Sequence, residues 1–366
     1  MRVSKFVCVI VVFMMFFTGW FSGQSGLDSA YAAELVIITP YRGESGLQDS
    51  LWNTYANSLA RHKNLTGMTT EVISLDDINR NYDGIDEAEK VKRAIYDRVI
   101  NQDTRYVLLV GDTGIFPVRY QYVGYRSDGL ISYVDNRTRE PSFCNDDQGN
   151  RLDWCPYIGY YFLPCDGYYA NLWDNADQDK TFDDWNREDA LRGNDFIGEM
   201  YFDNARGTGS DQISIHPDVA VGRVPAQTPE EFLAYIAKVI RYERFIVDSE
   251  RANTGLFIGT QRGGSQSTKH SIAEYFGNSG ITFFFQDEDG SYYFDDDNET
   301  DPCPDPLQCV VDFIHEHNPN YLNYAGHGAP MNWYEVPFTT FDASRLENYN
   351  APVIIGTASC STGAST

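Results

Sequence analysis

Two segments near the end of the chain share one layout: Asn323–Gly328 reads NYAGHG, and Ile354–Gly363 reads IIGTASCSTG. In each segment an apolar run that should be a buried strand ends at one reactive side chain among small residues. This side chain is His327 in the first segment and Cys360 in the second. Two such strands lying side by side would bring the imidazole and the thiol together. A thiolate is a strong nucleophile where its pKa is lowered, and a neighbouring histidine is a common way to lower it. The two segments therefore indicate a cysteine nucleophile.

Glycine beside the reactive residues fits the same chemistry. Attack of sulfur on a carbonyl creates an oxyanion, which backbone N–H groups usually receive, so the nearby backbone must be open to close approach. Gly328 meets this requirement. The alternative is that Cys360 is a small buried hydrophobe at a strand end and that His327 caps a turn. Because both residues sit at strand ends among small residues, the pattern favours catalysis.

These residues resemble the caspase-like cysteine peptidases, and most closely the gingipain family. Two further segments carry the resemblance: Pro217–Pro225, which reads PDVAVGRVP and is followed by an amphipathic helix, and Asp166–Asp174, which reads DGYYANLWD. The resemblance covers most of the chain after its first residues. It implies an α/β fold, a caspase-like sandwich of a mainly parallel sheet flanked by helices in two subdomains. It also implies an endopeptidase that hydrolyses peptide bonds through a thioester.

The resemblance gives each candidate residue a role. Cys360 would attack the carbonyl, and His327 would take the thiol proton and pass it to the leaving amine. The amides of Gly328 and Cys360 would hold the oxyanion. Trp333 resembles an aromatic that lines the substrate pocket in the family, and the alternative is a half-buried loop aromatic.

Three departures from the family pattern limit these roles. A glutamate steadies the catalytic histidine in gingipains, and Arg262 occupies the aligned position here. Arginine-preferring members hold an acid just after the Gly-Gly pair, whereas Ser265–His270 contains none, so cleavage after arginine is not expected. Relatives continue well beyond the nucleophile, and we therefore expect this chain to be truncated at its C-terminus, with an incomplete catalytic subdomain.

The first 33 residues are typical of a secretory signal. Arg2 and Lys5 precede an apolar run from Phe6 to Phe21, and Ala30-Tyr31-Ala32 supplies the small residues that a signal peptidase reads. The run is shorter than the roughly 20 residues that a membrane-spanning helix needs. We therefore predict an exported protein without a membrane span after signal removal, which is secreted, on the cell surface or periplasmic.

Composition narrows the class of partner. The 366 residues include 53 acidic and 28 basic side chains, and the net charge of -25 repels phosphate backbones and anionic lipid surfaces. Nucleic acid is not an expected partner, and proteins or peptides are the expected substrates. After the signal at 1–33, the pattern predicts an N-terminal α/β subdomain at 34–230 with a long acidic loop region, and a catalytic α/β subdomain at 231–366.

Strands and amphipathic helices alternate along both subdomains, which predicts parallel sheets covered by helices. An acidic, hairpin-like segment is expected at 286–306. The other predicted strands are Glu34–Thr39, Glu71–Leu75, Tyr106–Val110, Val219–Val224, Leu256–Gly259 and Ile281–Phe285, and the predicted helices are Leu47–His62, Asp86–Ile100, Pro229–Phe245, Thr268–Phe276 and Leu307–His317.

Acidic residues crowd into one part of the long loop region. Oxygen ligands at alternate positions suit calcium, and a solvated acidic loop is the alternative. Gingipain-like enzymes bind calcium, so the resemblance favours a structural calcium site. The candidate ligands are Asp174, Asn175, Asp177, Asp179 and Asp184.

Export also permits disulfides. Either Cys303 with Cys309, or a pair among Cys144, Cys155 and Cys165, could close a small loop.

Two other functions stay open from the sequence. One is a non-catalytic secreted module that keeps the fold for calcium-dependent binding, which Arg262 and the short C-terminus favour. The other is a transpeptidase, because an amine as well as water can capture a thioester. Unusually fast alkylation of Cys360 would separate an enzyme from a binding module.

Overall fold

The computed structural model describes residues 32–40, 47–123, 161–173, 180–182, 196–197, 217–246, 250–259, 265–275, 280–287, 290–296, 299–329 and 331–359. These residues form two compact units, and the boundary along the chain lies between Pro229 and Glu230. Each unit has its own sheet with parallel strands at its centre. The α/β class predicted from the alternating pattern is therefore confirmed. The predicted signal segment lies almost entirely outside the described residues.

The sheet of the first unit is parallel, with strand order β2-β1-β3-β7. A smaller three-stranded sheet has the order β5-β4-β6. The strands are β1 (Leu35–Thr39), β2 (Thr70–Ser74), β3 (Tyr106–Val110), β4 (Arg119–Val123), β5 (Tyr161–Cys165), β6 (Phe196–Ile197) and β7 (Ala220–Val224), and the helices are α1 (Leu47–Leu65), α2 (Leu75–Asn81), α3 (Glu87–Gln102) and α4 (Gly167–Ala170).

Local sequence explains most of these boundaries. All five residues of β1 are buried and apolar or β-branched, as expected for a strand covered on both faces. Helix α3 begins after Asp86, whose carboxylate accepts the N–H of Glu89 at 2.8 Å. Residue 75 was predicted to end a strand, but Leu75 begins α2 because Ser74 and Asp77 form a reciprocal capping box.

Arg223 on β7 connects the segments that follow β3 and β5. Its guanidinium donates two hydrogen bonds to the carboxylate of Asp166, at 2.8 and 2.7 Å. It also donates to the backbone carbonyls of Gly111 at 3.0 Å and Pro117 at 3.1 Å. The side chain of Arg223 is only 10% exposed, so its charge depends on these partners.

Asp218 makes a second connection between the segment that follows β5 and the segment that carries Arg223. Its carboxylate accepts the backbone N–H groups of Leu172 at 2.7 Å and Trp173 at 3.3 Å. We call Asp166, Arg223 and Asp218 the polar clamp. The clamp joins DGYYANLWD to PDVAVGRVP. The first motif supplies the carboxylate of Asp166 to Arg223, and the second supplies the carboxylate of Asp218 to the backbone N–H groups of Leu172 and Trp173.

The second unit contains a six-stranded sheet with the order β11-β10-β9-β8-β12-β15. Strands β9, β8, β12 and β15 are parallel, and β10 and β11 form an antiparallel hairpin at one edge, as predicted for 286–306. The strands are β8 (Gly255–Gly259), β9 (Ile281–Gln286), β10 (Tyr292–Asp296), β11 (Glu299–Cys303), β12 (Tyr321–Ala325), β13 (Gly328–Ala329), β14 (Asn332–Trp333) and β15 (Ile354–Ala358), and the helices are α5 (Pro229–Ile246), α6 (Ser265–Tyr275), α7 (Pro306–His317) and α8 (Thr340–Arg345), with a 3-10 helix at Glu250–Asn253.

One of the two pairings considered for the cysteines is present. Cys303 at the end of β11 forms a disulfide with Cys309 in α7. Cys165 carries a free thiol among the described residues. Cys144 and Cys155 lie outside them.

One face of the central strands of the second unit forms a hydrophobic core against α7. Leu256 and Leu322 from the sheet pack there with Val310 and Ile314 from the helix. Tyr324 also belongs to this core, and it lies near the end of β12. The core therefore extends to the segment that carries His327.

No helix among the described residues has the length and apolar character needed to cross a bilayer.

Candidate active site

The C-terminal ends of β12 and β15 lie at the same edge of the second sheet. The two strands are adjacent and parallel, with Ala325 opposite Ala358 at their last paired positions. His327 and Cys360 each follow two positions later. The expectation that these strands lie side by side is confirmed. Cys360 itself lies outside the described residues, so its pairing with His327 stays a prediction.

The backbone of His327 is held at the start of the β13–β14 hairpin. Its carbonyl accepts the N–H of Tyr334 at 3.0 Å, and the hydroxyl of Tyr324 lies 2.8 Å from the same oxygen. Its own N–H donates to Oε2 of Glu335 at 2.7 Å. The side chain is nevertheless 52% exposed. The main chain is thus fixed while the imidazole remains accessible.

Glu335 brings a carboxylate close to that imidazole. Its Oε1 lies 3.9 Å from Nε2 of His327, and its side chain is 14% exposed. Its Oε2 lies 2.7 Å from the hydroxyl of Tyr324, which is fully buried. Burial, together with the hydrogen bond to Glu335, raises the pKa of Tyr324 well above its ordinary value. The phenol therefore stays protonated and serves as a donor to this site.

Gly326 makes room for the carboxylate of Glu335. A Cβ atom on Gly326 would lie 2.8 Å from Oε2 of Glu335 and 2.6 Å from the hydroxyl oxygen of Tyr324. Both distances are shorter than non-bonded contacts allow. The glycine before His327 is therefore required by close approach.

Gly328 lies in a part of the hairpin that leaves its amide available. Gly328 is opposite Trp333, and the N–H of Tyr334 bonds the carbonyl of His327, which makes Gly328 and Trp333 a non-hydrogen-bonded pair. In such a pair the N–H groups point away from the partner strand. The N–H of Trp333 follows this rule, because it donates to the carbonyl of Phe338 at 3.0 Å.

Trp333 is part of the core of this loop. It is 6% exposed and stacks on Tyr324 with the ring centres 4.2 Å apart and an interplanar angle of 7°. Its other neighbour is Phe338, with ring centres 5.2 Å apart. The substrate-pocket role predicted for Trp333 stays a prediction, and this burial favours a structural role.

A buried lysine connects α6 to the two strands of the site. Lys269 is 1% exposed, and its ammonium donates a hydrogen bond to the side chain of Asn323 on β12. The amide of Asn323 in turn donates to the carbonyl of Gly356 on β15 at 3.3 Å. Burial lowers the pKa of Lys269 to about 8. Arg262, which the sequence placed at the position of the family's glutamate, lies outside the described residues.

The predicted calcium ligands Asp174, Asn175, Asp177, Asp179 and Asp184 all lie outside the described residues. Trp173 and Phe182 flank all of these positions except Asp184. They form an antiparallel bridge, which brings the two ends of the segment at 174–181 together. Within the described ranges, no group of three or more His, Cys, Asp or Glu side chains could hold a metal ion.

Glu335 was not identified from the sequence. It is the one acidic residue between Asn318 and Phe341, in a chain with 53 acidic residues. A single carboxylate in a run otherwise without acidic residues, close to a reactive histidine, was the available signal.

Comparison with solved structures supports the same fold. The chain is similar to Porphyromonas gingivalis RgpB in a complex of its pro- and mature domains, with 17% identity, a TM-score of 0.52, and coverage of 90% of this chain and 56% of that one. It is also similar to the Arg-specific cysteine proteinase gingipain R (RgpB), with 16% identity, a TM-score of 0.52, and coverage of 93% and 57%. This chain thus spans a little over half the length of the structures it matches. The caspase-like α/β fold predicted from the motifs is confirmed.

Comparison with sequences gives the family. A search of curated proteins finds no significant match. The model of peptidase family C25 matches residues 28–366, which is nearly the whole chain. The chain therefore belongs to peptidase family C25.

Proposed function

We propose that this protein is an exported cysteine endopeptidase that uses Cys360 and His327 as a catalytic dyad. The observation that carries the proposal is the parallel pairing of β12 with β15, whose last paired residues each precede one member of the dyad. Side chains that follow adjacent parallel strands at the same sheet edge lie close together. Membership of a peptidase family supports the same activity.

The proposed reaction has two stages. His327 accepts the thiol proton of Cys360, and the sulfur attacks the carbonyl carbon of the scissile peptide bond to form a tetrahedral oxyanion. Collapse of this intermediate breaks the C–N bond, and the proton on His327 passes to the leaving amine. Water, activated by His327, then hydrolyses the thioester and releases the acid and the free thiol.

The oxyanion would be stabilised by the backbone amides of Gly328 and Cys360. The orientation of Gly328 in its non-hydrogen-bonded pair supports this role, because its N–H points away from the hairpin. The exposed imidazole of His327 is consistent with a group that must contact a peptide substrate.

Substrates would be proteins or peptides outside the cytoplasm, in keeping with the predicted signal and the net charge of -25. The similar gingipain R is named as Arg-specific. We do not extend that preference to this chain, because Ser265–His270 contains no acidic residue that could pair with an arginine side chain.

Calcium binding by the acidic segment at 174–184 is a separate proposal. The bridge between Trp173 and Phe182 supports it by bringing together the ends of the segment at 174–181, which carries four of the five candidate ligands, as a compact ligand loop requires. Chelation should lower the melting temperature, and added calcium should restore it. An unchanged melting temperature would contradict the proposal.

The activity is tested by labelling the purified protein with peptidyl acyloxymethyl ketones that differ in the P1 residue. We expect an adduct on Cys360, detected by intact mass, that disappears in Cys360→Ala and in His327→Ala. A preferred P1 group would identify the specificity.

Two results would point to other functions. A folded protein that forms no adduct with any probe would contradict the peptidase proposal and favour a binding module. If the adduct forms, incubation with a peptide substrate and an added amine separates hydrolysis from transpeptidation by the mass of the product.

A further inference from the structure

The carboxylate of Glu335 is held by several contacts beside His327. Its Oε2 lies 2.7 Å from both the backbone N of His327 and the hydroxyl of Tyr324. Gly326 lies close to the same oxygen, since a Cβ atom on this residue would be only 2.8 Å from it. The carboxylate therefore has a fixed position relative to the backbone of His327.

The aromatic residues around Tyr324 keep this arrangement rigid. Tyr324 has no exposed surface, and its ring stacks on Trp333 with an interplanar angle of 7°. Trp333 packs in turn against Phe338. A hydroxyl on a buried, stacked ring loses little conformational entropy when it binds a carboxylate.

With Oε2 engaged, Oε1 is the oxygen that lies toward the imidazole, 3.9 Å from Nε2. This distance exceeds that of an N–H···O hydrogen bond. It is shorter than the limit of about 4–6 Å within which a carboxylate favours the positively charged form of a neighbouring base.

We propose that Glu335 is a positioning residue that orients His327 and stabilises the imidazolium formed when the Cys360 thiol gives up its proton. The proposal rests on the dyad proposed above. It assigns to a residue of the same hairpin the role that Arg262, a cation, cannot perform.

Few other titratable groups face this carboxylate within the part of the chain that the structure describes. They are His327, Tyr324 and Tyr292, whose buried hydroxyl has no hydrogen-bond partner among the described residues. Burial, followed by the charge of Glu335, raises the pKa of Tyr292 above its ordinary value. Both phenols therefore stay neutral near neutral pH.

The test is Glu335→Gln, which keeps the shape of the side chain and removes its charge. A matched control is Glu316→Gln, which makes the same change in net charge at an exposed position of α7. Both variants are compared with the unaltered protein for kcat and KM on the peptide selected by the probe panel, for the pH dependence of the rate, and for melting temperature.

We expect kcat of Glu335→Gln to fall about tenfold to a hundredfold, with KM changed less than about threefold. The alkaline limb of the activity profile should move to lower pH, because the imidazolium is no longer stabilised. Glu335→Asp should recover part of kcat. Tyr324→Phe removes one hydrogen-bond donor and keeps the stacked ring, so its kcat should lie between those of Glu335→Gln and Glu335→Asp. Glu316→Gln should match the unaltered protein.

A folded Glu335→Gln with unchanged kcat and an unchanged pH profile would overturn the proposal while leaving the dyad intact. Loss of kcat in Glu335→Gln and Glu335→Asp alike, in proportion to a lower melting temperature and with no shift of the profile, would also overturn it, because that pattern indicates a structural role. Failure of the dyad itself has a different signature: Cys360 would then alkylate no faster than a free cysteine in the unaltered protein.

Discussion

Replacing Trp333 with alanine distinguishes the two roles that the sequence leaves open for this residue. A pocket-lining aromatic would contribute mainly to substrate preference, whereas a core aromatic would contribute mainly to stability. The indole is 6% exposed and has two aromatic neighbours, with ring centres 4.2 Å away in Tyr324 and 5.2 Å away in Phe338. The structure therefore predicts a large effect on stability.

The magnitude follows from burial and stacking. Truncation of a buried tryptophan to alanine costs about 3–5 kcal/mol, which includes the cavity left behind. Aromatic pairs contribute about 0.5–1.5 kcal/mol each beyond the area they bury, so a tryptophan with several of them belongs in the upper part of the range of about 3–5 kcal/mol. With two such pairs, we expect Trp333→Ala to lower the free energy of unfolding by about 4–5 kcal/mol. Trp333→Phe, which keeps a ring between the two neighbours, should recover roughly half of this loss.

The assay is urea unfolding followed by circular dichroism, with Tyr334→Ala as the matched control. Tyr334 is the next residue in the chain and is 61% exposed, so its truncation should change the free energy of unfolding by less than about 0.5 kcal/mol. The ratio of kcat/KM values across the P1 panel should be the same in Trp333→Phe as in the unaltered protein. A Trp333→Ala variant within about 1 kcal/mol of the unaltered protein, with altered P1 preference, would refute the core role.

Three further substitutions test other contacts. Arg223→Ala should lower the free energy of unfolding by about 3 kcal/mol, because it leaves the carboxylate of Asp166 without its partner; a loss below about 1 kcal/mol in urea unfolding would contradict the clamp. Folding lowers the pKa of Lys269 from 10.5 to about 8, so the unfolded state binds more protons between these pH values. The free energy of unfolding should therefore rise as the pH increases from about 8 to 10.5. Lys269→Met should lack this rise, and the same pH dependence in both proteins would contradict the prediction. Gly326→Ala should reduce kcat at least as much as Glu335→Gln, since the added methyl group displaces the carboxylate; normal kcat in Gly326→Ala would show that the site tolerates this movement.

Much of the fold could be predicted because its strands are short, apolar and separated by amphipathic helices. Strand β3 was predicted with its observed bounds, Tyr106–Val110, since buried parallel strands are nearly continuous apolar runs. The hairpin at one edge of the second sheet was also predicted from its position between a strand and a helix. Helix α8 at Thr340–Arg345 was not predicted, because its six residues are too few to show a helical period. Its start depends on a capping box between Thr339 and Asp342.

The candidate site was predictable only in part. Periodicity and glycine identify His327 and Cys360 as residues that follow strands, and the parallel pairing of those strands bears this out. The carboxylate next to His327 could not be located in the same way, because its position depends on the register of the β13–β14 hairpin. In that register the N–H of Tyr334 donates to the carbonyl of His327, which places Glu335, the next residue, beside the histidine. Such a return depends on turn geometry, which short irregular segments do not reveal through periodicity.

The polar clamp has a consequence for how this protein can change in length. The chain leaves the clamp at Trp173 and returns at Pro217, and both points are fixed by Asp166, Asp218 and Arg223. The entropy of closing a loop between fixed ends grows only logarithmically, so doubling the length of the intervening segment costs about 0.6 kcal/mol. Insertions between those points that keep Phe182 and β6 (Phe196–Ile197) in place should therefore cost the parallel sheet little. Such insertions would be a way to graft an epitope or a small folded domain onto the first unit without redesign of its parallel sheet.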